Sequence, residues 1–124
     1  MLVLGVAFKR DIDDARNSPA ERVIELLLRR GADVSYHDAF VREFTLGPDV
    51  FQPKQRILTS VPLTDAIVKQ ADCVLIVTGH SQVDYARVIA QAALVVDSCN
   101  VTASLTVGQD KIVRLGAFTD LEKI

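Results

Sequence analysis

Between Gly5 and Pro19 the chain reads Gly-Val-Ala-Phe-Lys-Arg-Asp-Ile-Asp-Asp-Ala-Arg-Asn-Ser-Pro. Lys9 is a compact charge with three donors, which suits a diphosphate. Phe8 beside it offers a face for a sugar or a base. A solvated lysine next to a core phenylalanine would read the same way. Arg16 fits two roles: a bidentate clamp on the same phosphates, or a partner of Asp13 or Asp14 that holds the loop. Asp14 reads as a loop organiser rather than an acid or base.

The run Asp11-Ile12-Asp13-Asp14 opens a rival reading. Metal-dependent phosphatases of the haloacid-dehalogenase type carry Asp-x-Asp directly after a first buried strand, and receiver domains gather carboxylates there. Here Lys9 and Arg10 intervene, and the third strand ends in Thr78 rather than an aspartate. A solvated acidic turn is the simpler account. His37 and His80 both follow strands, so both are expected at one sheet edge. Histidine is the usual general base near neutral pH. Neither has a recognisable partner in sequence, and no nucleophile elbow accompanies them. Hydrogen-bonding loop histidines are expected.

The elements that carry these residues are legible. Leu2-Val3-Leu4-Gly5-Val6 is an apolar run of strand length. Ser18 suits a helix N-cap and Pro19 the N1 position, and Glu21 at N3 completes a capping box. Val23, Ile24, Leu27 and Leu28 follow at helical spacing, with Gly31 at C′. The pattern predicts strands at about 2–7, 33–37, 73–77, 94–96 and 111–115. Helices are predicted at about 19–30, 63–70 and 84–91. Residues 38–62 read as a long irregular connection with a helical turn near 41–44 and a short extended piece at 58–62. Phe40, Phe44 and Phe51 are expected to pack there as a flap. Strands alternating with helices imply βαβ units and a parallel sheet. The fold class is therefore α/β, an open Rossmann-like three-layer sandwich of about five strands. Strand one is expected at the centre, strand two on one side and strands three to five on the other.

Gly5-Val6-Ala7-Phe8-Lys9-Arg10 lacks the dinucleotide fingerprint, which needs glycines where Ala7 and Arg10 stand. The domain is expected not to bind NAD on its own.

The same stretch resembles the opening of the C-terminal, UDP-binding domain of the sugar-nucleotide 6-dehydrogenases, the UDP-glucose/GDP-mannose dehydrogenase family. That pattern is Gly-x-Ala-aromatic-Lys, four residues, Asp-x-Arg-x-Ser-Pro, here Gly5, Ala7, Phe8, Lys9, Asp14, Arg16, Ser18 and Pro19. The likeness continues through Gly31 to Asp38 and through Val95-Val96-Asp97. It implies that Phe8, Lys9 and Arg16 hold a UDP-sugar or related nucleotide sugar, and that no residue here is catalytic or binds a metal. It also implies a parent enzyme making polysaccharide precursors, which oxidises the sugar C6 alcohol to a carboxylate in two NAD-dependent steps through a thiohemiacetal. NAD, the catalytic cysteine and a central helical region would lie on domains absent from this chain, and a homodimer is left open. One departure stands out: the family's Asp-x-Arg turn after strand four reads Asp97-Ser98-Cys99. A thiol does not replace a guanidinium fork, and Arg114 is the nearby basic candidate to compensate. A stand-alone binding or regulatory module that has lost the activity is the alternative reading.

At 124 residues, 49% of them hydrophobic, the chain has room for one domain, residues 1–124, with a real core. It begins almost inside its first strand, so a truncated or excised domain is expected. A net charge of −2 gives no electrostatic case for nucleic acid or an anionic membrane. No apolar run approaches the roughly 20 residues that span a bilayer. Cys73 and Cys99 read as reduced thiols, which points to the cytoplasm.

Overall fold

The computed structural model describes residues 1–7, 9, 11, 18–47 and 55–115. Five parallel strands form one sheet: β1 (Leu2–Leu4), β2 (Ser35–His37), β5 (Val74–Ile76), β6 (Val95–Asp97) and β7 (Ile112–Arg114). Their order is β2-β1-β5-β6-β7, as the sequence pattern anticipates. Four of the five strands are shorter than the sequence pattern predicts, because ladder pairing stops where the chain turns toward the sheet's carboxyl edge. Strand one, for example, leaves the ladder at Gly5, whose φ is +83°.

The pleat sends alternate residues to two cores. Leu2, Leu4, Val74, Ile76 and Val95 face one layer, where they meet Val68 of α2 (Asp65–Gln70) and Val88 and Ile89 of α3 (Tyr85–Gln91). Val3 faces the other layer, with Ala20 and Ile24 of α1 (Pro19–Arg29). Ile24 is fully buried, which is worth about 2 kcal/mol.

Helix α1 starts and stops where its sequence says. Ser18 Oγ accepts the Ala20 N–H at 3.1 Å, with Pro19 at N1. The reciprocal half of the expected capping box is replaced, since Glu21 accepts instead from the Gly47 N–H at 3.2 Å. At the other end the Gly31 N–H reaches Leu28 O at 3.0 Å and the Ala32 N–H reaches Leu27 O at 3.1 Å. That is a Schellman closure, with Gly31 at φ +86°.

The segment after β2 differs from expectation. Residues 43–46 form a strand, β3 (Glu43–Leu46), rather than belonging to a helical turn. It pairs antiparallel with β4 (Arg56–Thr59). Phe44 and Leu46 point into the α1-side core while Glu43 and Thr45 face out, the alternation of a half-covered hairpin. Phe44 packs edge-on against Tyr36, with ring centroids 6.0 Å apart. The Tyr36 hydroxyl donates to Val41 O at 2.9 Å, and burial with the nearby Asp38 charge pushes its pKa up to about 12. Phe40 stays partly exposed, and Phe51 lies outside the described residues. Among the described residues no helix is long and apolar enough to cross a membrane.

Candidate functional site

In open α/β sheets ligands sit beyond the carboxyl ends of the strands, where the connections diverge to opposite faces. Here that point lies between β1 and β5: β1 connects outward through α1, whereas α2 and α3 cover the opposite face. Three loops meet there, those following β1, β5 and β6. Their closeness begins with Gly5. A Cβ on Gly5 would come within 2.3 Å of the Thr78 carbonyl oxygen, so only glycine lets the two strand ends touch. Thr78 Oγ1 then donates to Ala7 O at 2.6 Å.

Asp38, directly after β2, is the anchor. Its Oδ2 accepts from the N–H groups of Val6 and Ala7 at 2.9 and 3.0 Å, and Oδ1 accepts from the Phe40 N–H at 2.8 Å. His80 Nε2 lies 2.9 Å from the same Oδ2. Burial alone would raise the Asp38 carboxyl's pKa; the bond to His80 and the amides of Val6, Phe40 and Ala7 outweigh it and hold it below the usual value. His80 Nδ1 accepts the Asp11 N–H at 2.7 Å, and Asp11 adopts φ +60°. The Asp11 carboxylate in turn accepts from Ser81 N–H and Ser81 Oγ at 2.7 and 2.6 Å. Asp11 is therefore a tie between two loops. Among the described residues no three His, Cys, Asp or Glu side chains gather as a metal site would require.

Beside this clamp lies a cavity of about 280 Å³ lined by Lys9, Pro19, Val77, Thr78, Gly79, Cys99 and Val101. Lys9 is exposed at it. Gly79 forms its tight wall, since a Cβ there would meet Val101 Cγ1 at 2.3 Å. The turn after β6 is built by buried Asp97, which accepts from Cys99 N–H at 2.9 Å and from Thr102 N–H and Oγ1 at 2.9 and 2.6 Å. Cys99 Sγ points to Val77 O at 2.9 Å, and burial raises its pKa. A half-buried neutral thiol is a poor nucleophile. Arg114, the candidate replacement cation, donates to Thr102 O at 3.0 Å and to the Gln109 side chain, and it does not line the cavity.

A larger cavity of about 490 Å³ lies between α2 and α3, lined in part by His37, Thr64, Asp65, Gln82, Asp84 and Arg87. It suits an anion less well. Arg87 is paired there with Asp65 in two bonds of 2.9 and 3.0 Å. His37 Nδ1 donates to Val61 O at 2.7 Å, so the two histidines part company: His80 joins the clamp and His37 turns aside.

Of the expected site residues, Lys9 is at the cavity, while Phe8 and Arg16 lie outside the described residues, as do Asp13 and Asp14. Sequence reasoning missed Asp38, Thr78, Gly79 and Ser81. The signal for them was the predicted strand order, which places the residues after β2 and after β5 on either side of the end of β1. The same geometry fits a dinucleotide poorly. The carboxylate after β2, which would meet a ribose, is turned inward onto Val6, Ala7 and His80.

The sequence model described as "UDP-glucose/GDP-mannose dehydrogenase family, UDP binding domain" matches residues 2–104. The chain is 29% identical over 80 residues to a UDP-N-acetyl-D-mannosamine dehydrogenase of Methanocaldococcus jannaschii, a match covering 64% of this chain and 16% of that protein. Among solved structures, an NDP-N-acetyl-D-galactosaminuronic acid dehydrogenase from Methanosarcina mazei superposes with a TM-score of 0.63 at 25% identity. That match covers 91% of this chain and 23% of the other. A UDP-glucose dehydrogenase from Pyrobaculum islandicum gives a TM-score of 0.51 at 31% identity, over 77% and 21% of the two chains. The matched region thus spans about a sixth to a quarter of the length of such relatives.

Proposed function

Because the chain belongs to the UDP-glucose/GDP-mannose dehydrogenase family through that family's UDP-binding domain, we propose that its cavity at Lys9 grips the diphosphate of a UDP-sugar. The supporting observation is the position of Lys9. It stands at the switch point of the sheet, on a cavity whose floor is backbone and small side chains, where a phosphate can approach closely. Phe8 and Arg16, close to Lys9 in sequence, would complete the grip as stacking face and second cation. The cavity, about 280 Å³, is smaller than the roughly 300–1,000 Å³ of sites that enclose a whole ligand. This domain therefore supplies one wall of a site shared with other domains. In that setting the enzyme oxidises the sugar C6 alcohol to a carboxylate, NAD is held by another domain, and this chain's part is binding and orientation. The protein works in the cytoplasm, and a homodimer is compatible with this role.

Cys99 favours a second reading. Where the family pattern expects a guanidinium, the chain places a thiol facing Val77 O. A non-catalytic module that keeps the fold with a weakened or altered nucleotide site would look like this.

Calorimetric titration of the full chain with UDP-sugars and GDP-sugars separates the two. Under the first reading a UDP-sugar binds and Lys9→Ala weakens it about tenfold, the worth of one charge-assisted contact. Binding that is indifferent to Lys9→Ala removes the assignment of the site. No binding by either sugar-nucleotide class favours the second reading.

A further inference from the structure

We propose that His80 is a positioning residue for Lys9. With its proton on Nε2 and Nδ1 bare, the ring fixes the loop that presents Lys9, and a second proton on the ring releases it. The inference rests on the reading of Lys9 as the nucleotide grip.

Lys9 sits between two pinned points. Ala7 is held by Asp38 and Thr78, and Asp11 by His80 and Ser81. The Ala7 anchor uses a carboxylate and a hydroxyl; His80 Nε2 also meets that carboxylate, but it carries its proton in both forms of the ring, so this anchor keeps its bonds when the ring charges. The Asp11 anchor does depend on the ring's charge. An N–H can donate to Nδ1 only while that nitrogen carries a lone pair, so the 2.7 Å contact fixes the tautomer. Nε2 then donates to Asp38 at 2.9 Å, and the neutral ring has both nitrogens satisfied. The ring is almost fully buried, with the Phe40 ring tilted against it at a centroid distance of 4.8 Å, so neither nitrogen has bulk water as a substitute.

A second proton must go to Nδ1, where it faces the Asp11 N–H head-on. The carboxylate that faces it is Asp11 Oδ1, 3.7 Å away. To accept, that carboxylate must swing off Ser81, whose N–H and hydroxyl it now holds. The backbone of Asp11 must also leave its left-handed conformation or move as a body. Either way the distal anchor of the Lys9 loop is exchanged. Among the described residues, the titratable groups against His80 are Asp38 from the β2 end, Asp11 from the β1 loop, and Tyr85 of α3, whose hydroxyl donates to His80 O at 2.9 Å. Asp38 stays ionised throughout, because its pKa is held low. The proton thus acts on the Asp11 side alone.

The test is an NMR titration of the nitrogen-15-labelled full chain from about pH 8 toward acid, followed until the His80 ring takes its second proton; a ring that takes none before the chain unfolds overturns the proposal. His80 ring nitrogens, the Asp11 amide and the Lys9 amide should move in one shared transition, starting from unprotonated Nδ1. In His80→Asn, whose side-chain oxygen can still accept the Asp11 N–H, the Asp11 amide should show no such transition. His80→Gln serves if the asparagine variant folds poorly. A proton on Nδ1 at the alkaline end, or an Asp11 amide that ignores the His80 transition, overturns the proposal. A parallel titration with UDP should show affinity falling about fivefold further at the acid end in the wild type than in His80→Asn, one ordinary hydrogen bond's worth. The phosphate's own protonation enters both proteins equally. A UDP profile of the same shape in both proteins also counts against the proposal. Should UDP bind neither protein at any pH, the reading of Lys9 fails, while the amide transitions still decide the role of His80.

Discussion

Gly5→Ala should cost the protein roughly 3 kcal/mol or more of stability, read as a large fall in the urea midpoint. Two effects add. A non-glycine residue at φ +83° carries a left-handed penalty of about 1–2 kcal/mol. The new methyl would then lie 2.3 Å from Thr78 O and 2.6 Å from Thr78 Cβ, so the β1 and β5 ends must part. Such overpacking typically costs about 1–3 kcal/mol more. The opposing strand end is backbone, which cannot step aside like a flexible side chain. Against a total stability of about 5–15 kcal/mol, that loss is a large share. Gly31→Ala is the internal control. It shares the positive φ, at +86°, but its Cβ would meet nothing within 4 Å. It should lose about 1 kcal/mol. Equal losses at the two glycines would show that close approach of the strands plays no part.

Asp38→Asn should cost about 3 kcal/mol for a different reason. The carboxylate accepts three backbone N–H groups and faces His80 Nε2, with Oδ1 and Oδ2 both in use. An amide offers only one oxygen. Whichever way it is turned, an NH2 group faces at least one buried donor, and an unsatisfied buried donor costs about 1–3 kcal/mol each. The effect carries a pH signature. A carboxyl whose folded pKa is depressed contributes stability that is present above its unfolded value, near 3.9, and is lost as pH falls through the lower folded value. The gap between wild type and Asp38→Asn should be full at neutral pH and narrow below about pH 4. A gap that stays constant down to strong acid would mean that Asp38 is not ionised in the folded protein.

The parallel sheet was readable because a strand covered on both faces must be apolar throughout, as at Leu2-Val3-Leu4 and Val74-Leu75-Ile76. The βαβ rhythm implies parallel strands but does not by itself set their order. Helix α1 was readable to its ends because capping is local chemistry. The hairpin was less legible. Its inward residues, Phe44 and Leu46, do alternate with Glu43 and Thr45, but β4 is mostly exposed and offers no matching pattern. No tight-turn dipeptide joins the two strands. The site divides along the same line. Lys9 is marked by its local context, whereas the Asp38–His80 contact joins residues 42 apart in sequence. Spacing cannot show such a pair. It follows only once β2 and β5 are known to flank β1 in matching register, Leu4 opposite both His37 and Ile76.

The chain contains no tryptophan and two tyrosines, so its near-ultraviolet absorbance is dominated by two phenols. Tyr36 is sealed where β2 meets the hairpin and ionises only near pH 12. An acid held neutral by the folded state draws the chain open once the unfolded form can ionise, so stability should decline as pH climbs from about 10 toward that value. Strong alkali should therefore prise the hairpin from the sheet, and a late rise in phenolate absorbance would report its departure without any label.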